Sequence, residues 1–123
     1  MIKNIITIDT FIDKKLSIDD VNWDIYKNIE KLAPYGEGNP KPVFIFENVA
    51  VKEVKQFGKT NNHLELSFEN QKGKKIRAIG FFMSSESFKK SMKSGEKIDL
   101  IASFEKSNFR NYPELRLRIM DIL

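Results

Sequence analysis

Between residues 34 and 44 the chain reads Pro-Tyr-Gly-Glu-Gly-Asn-Pro-Lys-Pro-Val-Phe, and this string constrains the fold more than any other feature. Glycine reaches positive φ freely, while each proline fixes φ near −65° and disfavours helix in the residue before it. Two glycines and three prolines within this stretch make a rigid corner that no helix crosses. The apolar period is helical before the corner and two after it.

Ahead of the corner, Ile2, Ile6 and Ile8 alternate with other residues and predict a short strand over 2–8, with no hairpin partner nearby. Ser17 and Asn22 both offer N-caps. Ile25, Tyr26, Ile29, Leu32 and Ala33 then mark one face at helical spacing, which predicts a helix from Trp23 to Leu32 ended by Pro34 and Gly36. Its apolar stripe reads as ordinary packing against a neighbouring domain.

Beyond the corner, Val43 to Phe57 reads as one strand bent near Glu47 and Asn48. His63 to Glu69 alternates strictly, with Leu64, Leu66 and Phe68 on one face. Asn70 to Gly73 turns into a third strand, Lys75 to Phe82. Ser84 to Lys93 reads as a short helix with Gly95 as its stop, and Lys97 to Phe104 and Leu115 to Ile122 complete the set. Three strands, a helix and two strands in about eighty residues are the order of the five-stranded OB-fold barrel. The expected architecture is mainly β with minor α: a strand-helix segment over 1–38 and an OB-fold barrel over 39–123, its helix between strands 3 and 4.

Composition narrows the function. The 123 residues contain no cysteine, which excludes disulfides, thiol nucleophiles and thiolate metal sites. No apolar run approaches the roughly 20 residues of a membrane helix and no signal-peptide pattern opens the chain, so a soluble, cytoplasmic protein without a membrane partner is expected. The net charge is +4, unevenly spread. Residues 1–42 hold six Lys against seven acids, whereas residues 43–123 hold fifteen Lys or Arg against ten acids. The basic excess lies wholly beyond the corner, as a polyanion-binding module would show and as an ordinary lysine-rich surface would too.

An OB barrel presents strands 2 and 3, with the strand 1–2 and 4–5 loops, to oligonucleotides. In the first loop, Gly58 to Asn62, Lys59 can neutralise a phosphate and Asn61 offers both donors and acceptors; His63 follows. The second loop, Lys106 to Pro113, interleaves Phe109 and Tyr112 with Lys106 and Arg110. Rings stack on bases while cations follow the backbone, so this mixture suits a single strand. Phe109 and Tyr112 could instead cap the core. Arg116 and Arg118 extend the basic row on strand 5, or form a solvated face. Arg77 on strand 3 shares its parity with Ile79 and Phe81, so either two apolar residues are exposed or a bulge resets the register.

Catalytic readings fail on the residues themselves. His63 is the only histidine and no second His or Cys joins it, so neither a metal centre nor a catalytic pair can be built around it. Asp19, Asp20 and Asp24 fit a helix N-terminus, and Gly36-x-Gly38 neither follows a strand nor opens a helix.

The junction Leu32-Ala33-Pro34-Tyr35-Gly36-Glu37-Gly38-Asn39-Pro40-Lys41-Pro42-Val43-Phe44 resembles that between the second catalytic subdomain and the OB domain of RecJ-type single-strand-specific 5′ to 3′ DNA exonucleases, of the DHH phosphoesterase superfamily. Gly58 with His63-Leu64, Ala78-Ile79-Gly80-Phe81, Asn108-Phe109 and Ile119-Met120-Asp121-Ile122 follow in the family's order. The resemblance implies a non-catalytic module of a DNA repair and recombination nuclease, gripping single-stranded DNA. Its partners would be single-stranded DNA, the catalytic subdomains of the same protein and the single-stranded DNA-binding protein. The Mn2+ or Mg2+ of the catalytic core would lie outside this chain, which needs no cofactor. The contrasting reading is an interaction scaffold that docks the catalytic core or an acidic tail.

Overall fold

The computed structural model describes residues 14–31, 41–84, 93–108 and 112–123. The expected strand over 2–8, the tip of the corner and the expected helix over Ser84 to Lys93, apart from its end residues, lie outside the described residues. So do Phe109 and Arg110.

Seven strands form one sheet: β1 (Lys14–Lys15), β2 (Phe44–Ala50), β3 (Glu53–Phe57), β4 (His63–Glu69), β5 (Lys75–Gly80), β6 (Lys97–Ser107) and β7 (Glu114–Ile122). Their order across the sheet is β1-β2-β6-β7-β5-β4-β3, with β1–β2 and β5–β7 parallel and the rest antiparallel. Among the described residues the single α-helix, α1 (Trp23–Glu30), is capped by Asn22, whose Oδ1 accepts the Ile25 N–H at 2.9 Å. It turns Ile29 into the core, with Ile25 and Tyr26 packed against it. No helix among the described residues is long and apolar enough to cross a membrane.

The strand expected from Val43 to Phe57 is two strands. The bend at Glu47–Asn48 is present as a register shift between Phe46 and Val49, where Asn48 adopts φ 53°. A second break falls at Val51–Lys52, because the fully buried Val51 exchanges backbone bonds with Gly95 and Glu96 while the Lys52 N–H turns to the Ser67 carbonyl. Its two halves diverge to different neighbours: β2 pairs with β6, and β3 with β4. Since only two residues join β2 to β3 while four strands separate them in the ladder, the sheet coils back on itself. The ladder nevertheless stays open, with β1 and β3 as its edges, so the closed five-stranded barrel is replaced by a coiled OB-like sheet.

One core fills the coil. Phe46, Leu64, Leu66, Phe68 and Phe104 are almost wholly inaccessible, and Ile18, Val21 and Ile29 from ahead of the corner join the same cluster. Burying each of the large apolar side chains contributes about 1.5–3 kcal/mol. β4 keeps its alternation of faces, with Leu64, Leu66 and Phe68 turned in and His63, Glu65 and Ser67 turned out, although Ser67 is itself buried. β5 ends at Gly80 rather than Phe82, and β6 runs on to Ser107 rather than stopping at Phe104.

Candidate nucleic-acid interface

The outer face of the sheet is set by register. Lys55, Glu65, Ile79, Arg118 and Ser103 are successive cross-strand neighbours on β3, β4, β5, β7 and β6. Beside this row, Glu53 lies opposite Ser67 and Ser67 opposite Arg77, while Arg116 lies opposite Glu105. Arg77 donates to Glu65 and to Glu114, each at 2.7 Å. Arg116 donates to Glu105 at 2.7 Å, and Arg118 donates to the other oxygen of the same carboxylate. Three guanidinium groups and three carboxylates are thus paired in two clusters, Arg77 with Glu65 and Glu114, and Arg116 and Arg118 with Glu105.

Burial acts on these two clusters in opposition to their charges. Desolvation pushes the Glu65 carboxyl up, but the bond and charge of Arg77, aided by Lys55 and Lys75, bring it below the ordinary carboxylate value. Glu105 behaves alike: burial raises it, and Arg116 and Arg118 together hold it low. Arg77 in turn has its proton held more tightly, chiefly by its bond to Glu65. The parity problem on β5 resolves differently from either expectation. The β4–β5 register runs without a shift, and Ile79 is 1% exposed although it stands on the outer face between Glu65 and Arg118. Long charged side chains cover apolar neighbours with their stems, which accommodates an isoleucine there.

One end of this face is aromatic. Phe57 and His63 are opposite one another where β3 meets β4, and their ring centroids are 5.2 Å apart. The His63 ring also meets Phe81 at 5.1 Å and Phe82 at 4.9 Å, both nearly edge-on. Arg118 stands 4.5 Å from the Phe81 ring centre, a cation–π distance. His63 Nδ1 accepts the Phe82 backbone N–H at 3.0 Å. The adjoining turn brings Gly58 (φ 95°) against the imidazole and places Lys59 and Asn61 in the exposed tip. Asn61 holds φ 54°, and its backbone carbonyl accepts from Gln56 Nε2 at 2.8 Å. Asparagine is a residue type that tolerates this conformation, so its identity serves the turn as well.

The strand ends that bracket the second expected loop lie at the opposite end. Antiparallel pairing of Ser107 with Glu114, and parallel pairing of Ala78 with Leu117, put Ser107 and Glu114 at the end of the sheet that carries the Asn70–Lys74 turn. This end of the sheet and the Gly58–Asn62 turn are at opposite ends of the face, roughly 17 Å apart over five strand residues. Tyr112 is 76% exposed, which removes the core-capping alternative for it. Lys106 is exposed but shares the parity of Phe104, so it leaves the sheet on the face opposite to Arg116 and Arg118. Lys72 and Lys74, exposed in the neighbouring turn, were not among the expected site residues.

Phe57, Phe81 and Phe82 were not expected at the site either. Their signal was the Phe81-Phe82 pair directly after Gly80, read as strand 3, and a phenylalanine closing strand 1 opposite the only histidine. Among the described residues no group of three or more His, Cys, Asp or Glu is placed to hold a metal ion.

A coiled, mainly antiparallel sheet of this order, with a decorated outer face and loops at both ends, defines an OB-type module. A family model for the RecJ OB domain matches residues 12–121, and the chain belongs to that family. The single-stranded-DNA-specific exonuclease RecJ of Bacillus subtilis (strain 168) is 22% identical over 110 residues, covering 89% of this chain and 14% of that protein. The crystal structure of RecJ from Thermus thermophilus in complex with Mg2+ superposes with a TM-score of 0.61 at 18% identity, over 87% of this chain and 15% of the other. The Mn2+ complex of the same protein gives the same TM-score and identity over 85% and 14%. The chain thus spans about one-seventh of the length of these relatives.

Proposed function

We propose that this chain is the single-stranded DNA-binding, non-catalytic module of a RecJ-like 5′ to 3′ exonuclease acting in DNA repair and recombination. The observation that carries the reading is the aromatic end of the outer face, with a lysine-bearing turn beside it, on an OB domain of the RecJ family. Rings and cations in one place suit a flexible strand of stacked bases and phosphates. The strand would cross the face from Lys59, Asn61 and His63 to Phe109, Arg110 and Tyr112, with Lys106, which leaves β6 on the other face, outside its path. Arg77, Arg116 and Arg118 pave the middle, where they hold the surface in shape and offer their remaining N–H groups. Residues 1–38 would be the tail of the preceding catalytic subdomain, and the Mg2+ or Mn2+ would reside in that catalytic part, whose work lies in the cytoplasm.

Fluorescence anisotropy of a labelled oligonucleotide, titrated at several salt concentrations, tests this. Saturable, sequence-tolerant binding that prefers single strand over duplex is expected. With four cations on phosphates, the log-log salt slope is about −3. Equal affinity for duplex, or no saturable binding at low salt, overturns the reading; retained affinity for an acidic peptide alone would turn it toward a docking scaffold.

A further inference from the structure

Phe82 is held in a way that folding alone does not favour. Three non-glycine residues among those described have positive φ, and two of them, Asn48 and Asn61, are of the type that accepts it readily. The third is Phe82, at φ 57°. The residue is also 80% exposed, so the strained backbone gains little burial in exchange. Strain kept at an exposed aromatic is the kind of outlier from which a functional role is inferred.

The surroundings are built to keep it there. The Phe82 N–H is fixed by His63 Nδ1 at 3.0 Å, and the imidazole edge meets the ring at 4.9 Å. The imidazole in turn occupies space that only a glycine leaves: a Cβ on Gly58 would come within 2.7 Å of His63 Cδ2. Phe57 and Phe81 flank the imidazole, and Arg118 lies over Phe81. Phe82 is the member of this cluster left open to solvent, and Gly58, which precedes Lys59 in the turn, borders the same imidazole.

We propose that Phe82 is a base-stacking platform for single-stranded nucleic acid, and that His63 and Gly58 are its positioning residues. This rests on the reading of the chain as a single-strand-binding module. The lysine-bearing turn beside the imidazole supplies the cation that a neighbouring phosphate requires. His63 acts through the backbone of Phe82 rather than by touching phosphate.

The test uses the chain with labelled oligo-dT and a strand of the same length made of abasic sites, in anisotropy titrations at low salt. The wild-type chain should bind oligo-dT more tightly than the abasic strand. Phe82→Ala should weaken oligo-dT binding by roughly 5- to 150-fold and leave abasic binding nearly unchanged. Phe82→Trp should retain the preference. His63→Ala should lose part of it, and His63→Asn should restore it, because the amide oxygen can accept the Phe82 N–H. Phe82→Gly, which relieves the positive φ, should melt no lower than the wild type while binding as poorly as Phe82→Ala. If the wild-type chain binds neither strand, the single-strand reading itself fails. If it binds oligo-dT and Phe82→Ala binds equally well, that reading stands and the platform is overturned. Equal loss on both strands also overturns it. So does loss of affinity only for the remainder of the RecJ polypeptide, which would make the ring a protein contact.

Discussion

The middle of the outer face and its aromatic end contain similar ingredients and treat them oppositely. In the middle, Arg77, Arg116 and Arg118 are each met by a carboxylate and Ile79 is covered. At the end, Phe82 is left open, and the turn that borders His63 carries a lysine exposed to solvent. The difference teaches that a basic row read along one strand overstates the available charge, since its acids sit on neighbouring strands. Attraction for a polyanion is better sought among exposed lysines, and stacking among rings that folding gains nothing by exposing.

The largest effect expected from breaking this contrast comes from Glu105→Ala. It strands two half-buried guanidinium groups and should lower unfolding free energy in urea by about 2–3 kcal/mol, discounted for partial exposure. The same substitution releases two arginines, so the salt slope for oligonucleotide binding should steepen by about 1.4. An unchanged slope would mean that Arg116 and Arg118 already reach phosphates in the wild type.

Gly58→Ala strikes the other region. With φ at 95° and its new Cβ against His63, it should cost about 1–2 kcal/mol in thermal or urea unfolding and reduce the preference for oligo-dT over an abasic strand. A smaller effect is expected in acid. Glu65 and Glu105 have folded-state pKa values below the ordinary 4.5, so their stabilisation is complete above that value and lost as pH falls through the folded values. Melting temperature should therefore drop from pH 5 to pH 3, and Glu105→Gln should flatten that drop. A drop of undiminished size in the variant would move its origin to other groups. Lys59→Ala is the mildest test: stability should stay within about 0.5 kcal/mol, while the salt slope becomes shallower by about 0.7.

Much of the fold was legible in local pattern. The strict alternation of β4, the Asn22 cap and the bend at Glu47–Asn48 each depend on residues close in sequence. The break at Val51–Lys52 was not, because Val51 continues the apolar pattern and is diverted only by backbone bonds to Gly95 and Glu96. The same holds at the site. Lys59 and Tyr112 could be assigned to loops from composition, and both are exposed. That Glu105 serves two arginines, or that Ile79 is buried on an outer face, follows from cross-strand register that no single stretch encodes. Phe82 was hidden by its neighbours: an aromatic after an apolar run reads as more strand until its φ is known.

The division of one bent strand into β2 and β3 also sets a clock on the molecule's birth. β3 meets β4 across a five-residue turn, but Phe44 of β2 pairs with Ala102 of β6, 58 positions onward. At about 5–20 residues per second on the ribosome, β2 waits roughly 3–12 s for its partner. During that interval Phe44, Ile45 and Phe46 have an unpaired edge and no finished core to enter, so the nascent chain is most prone to misassociate there, well before the outer face of the sheet exists.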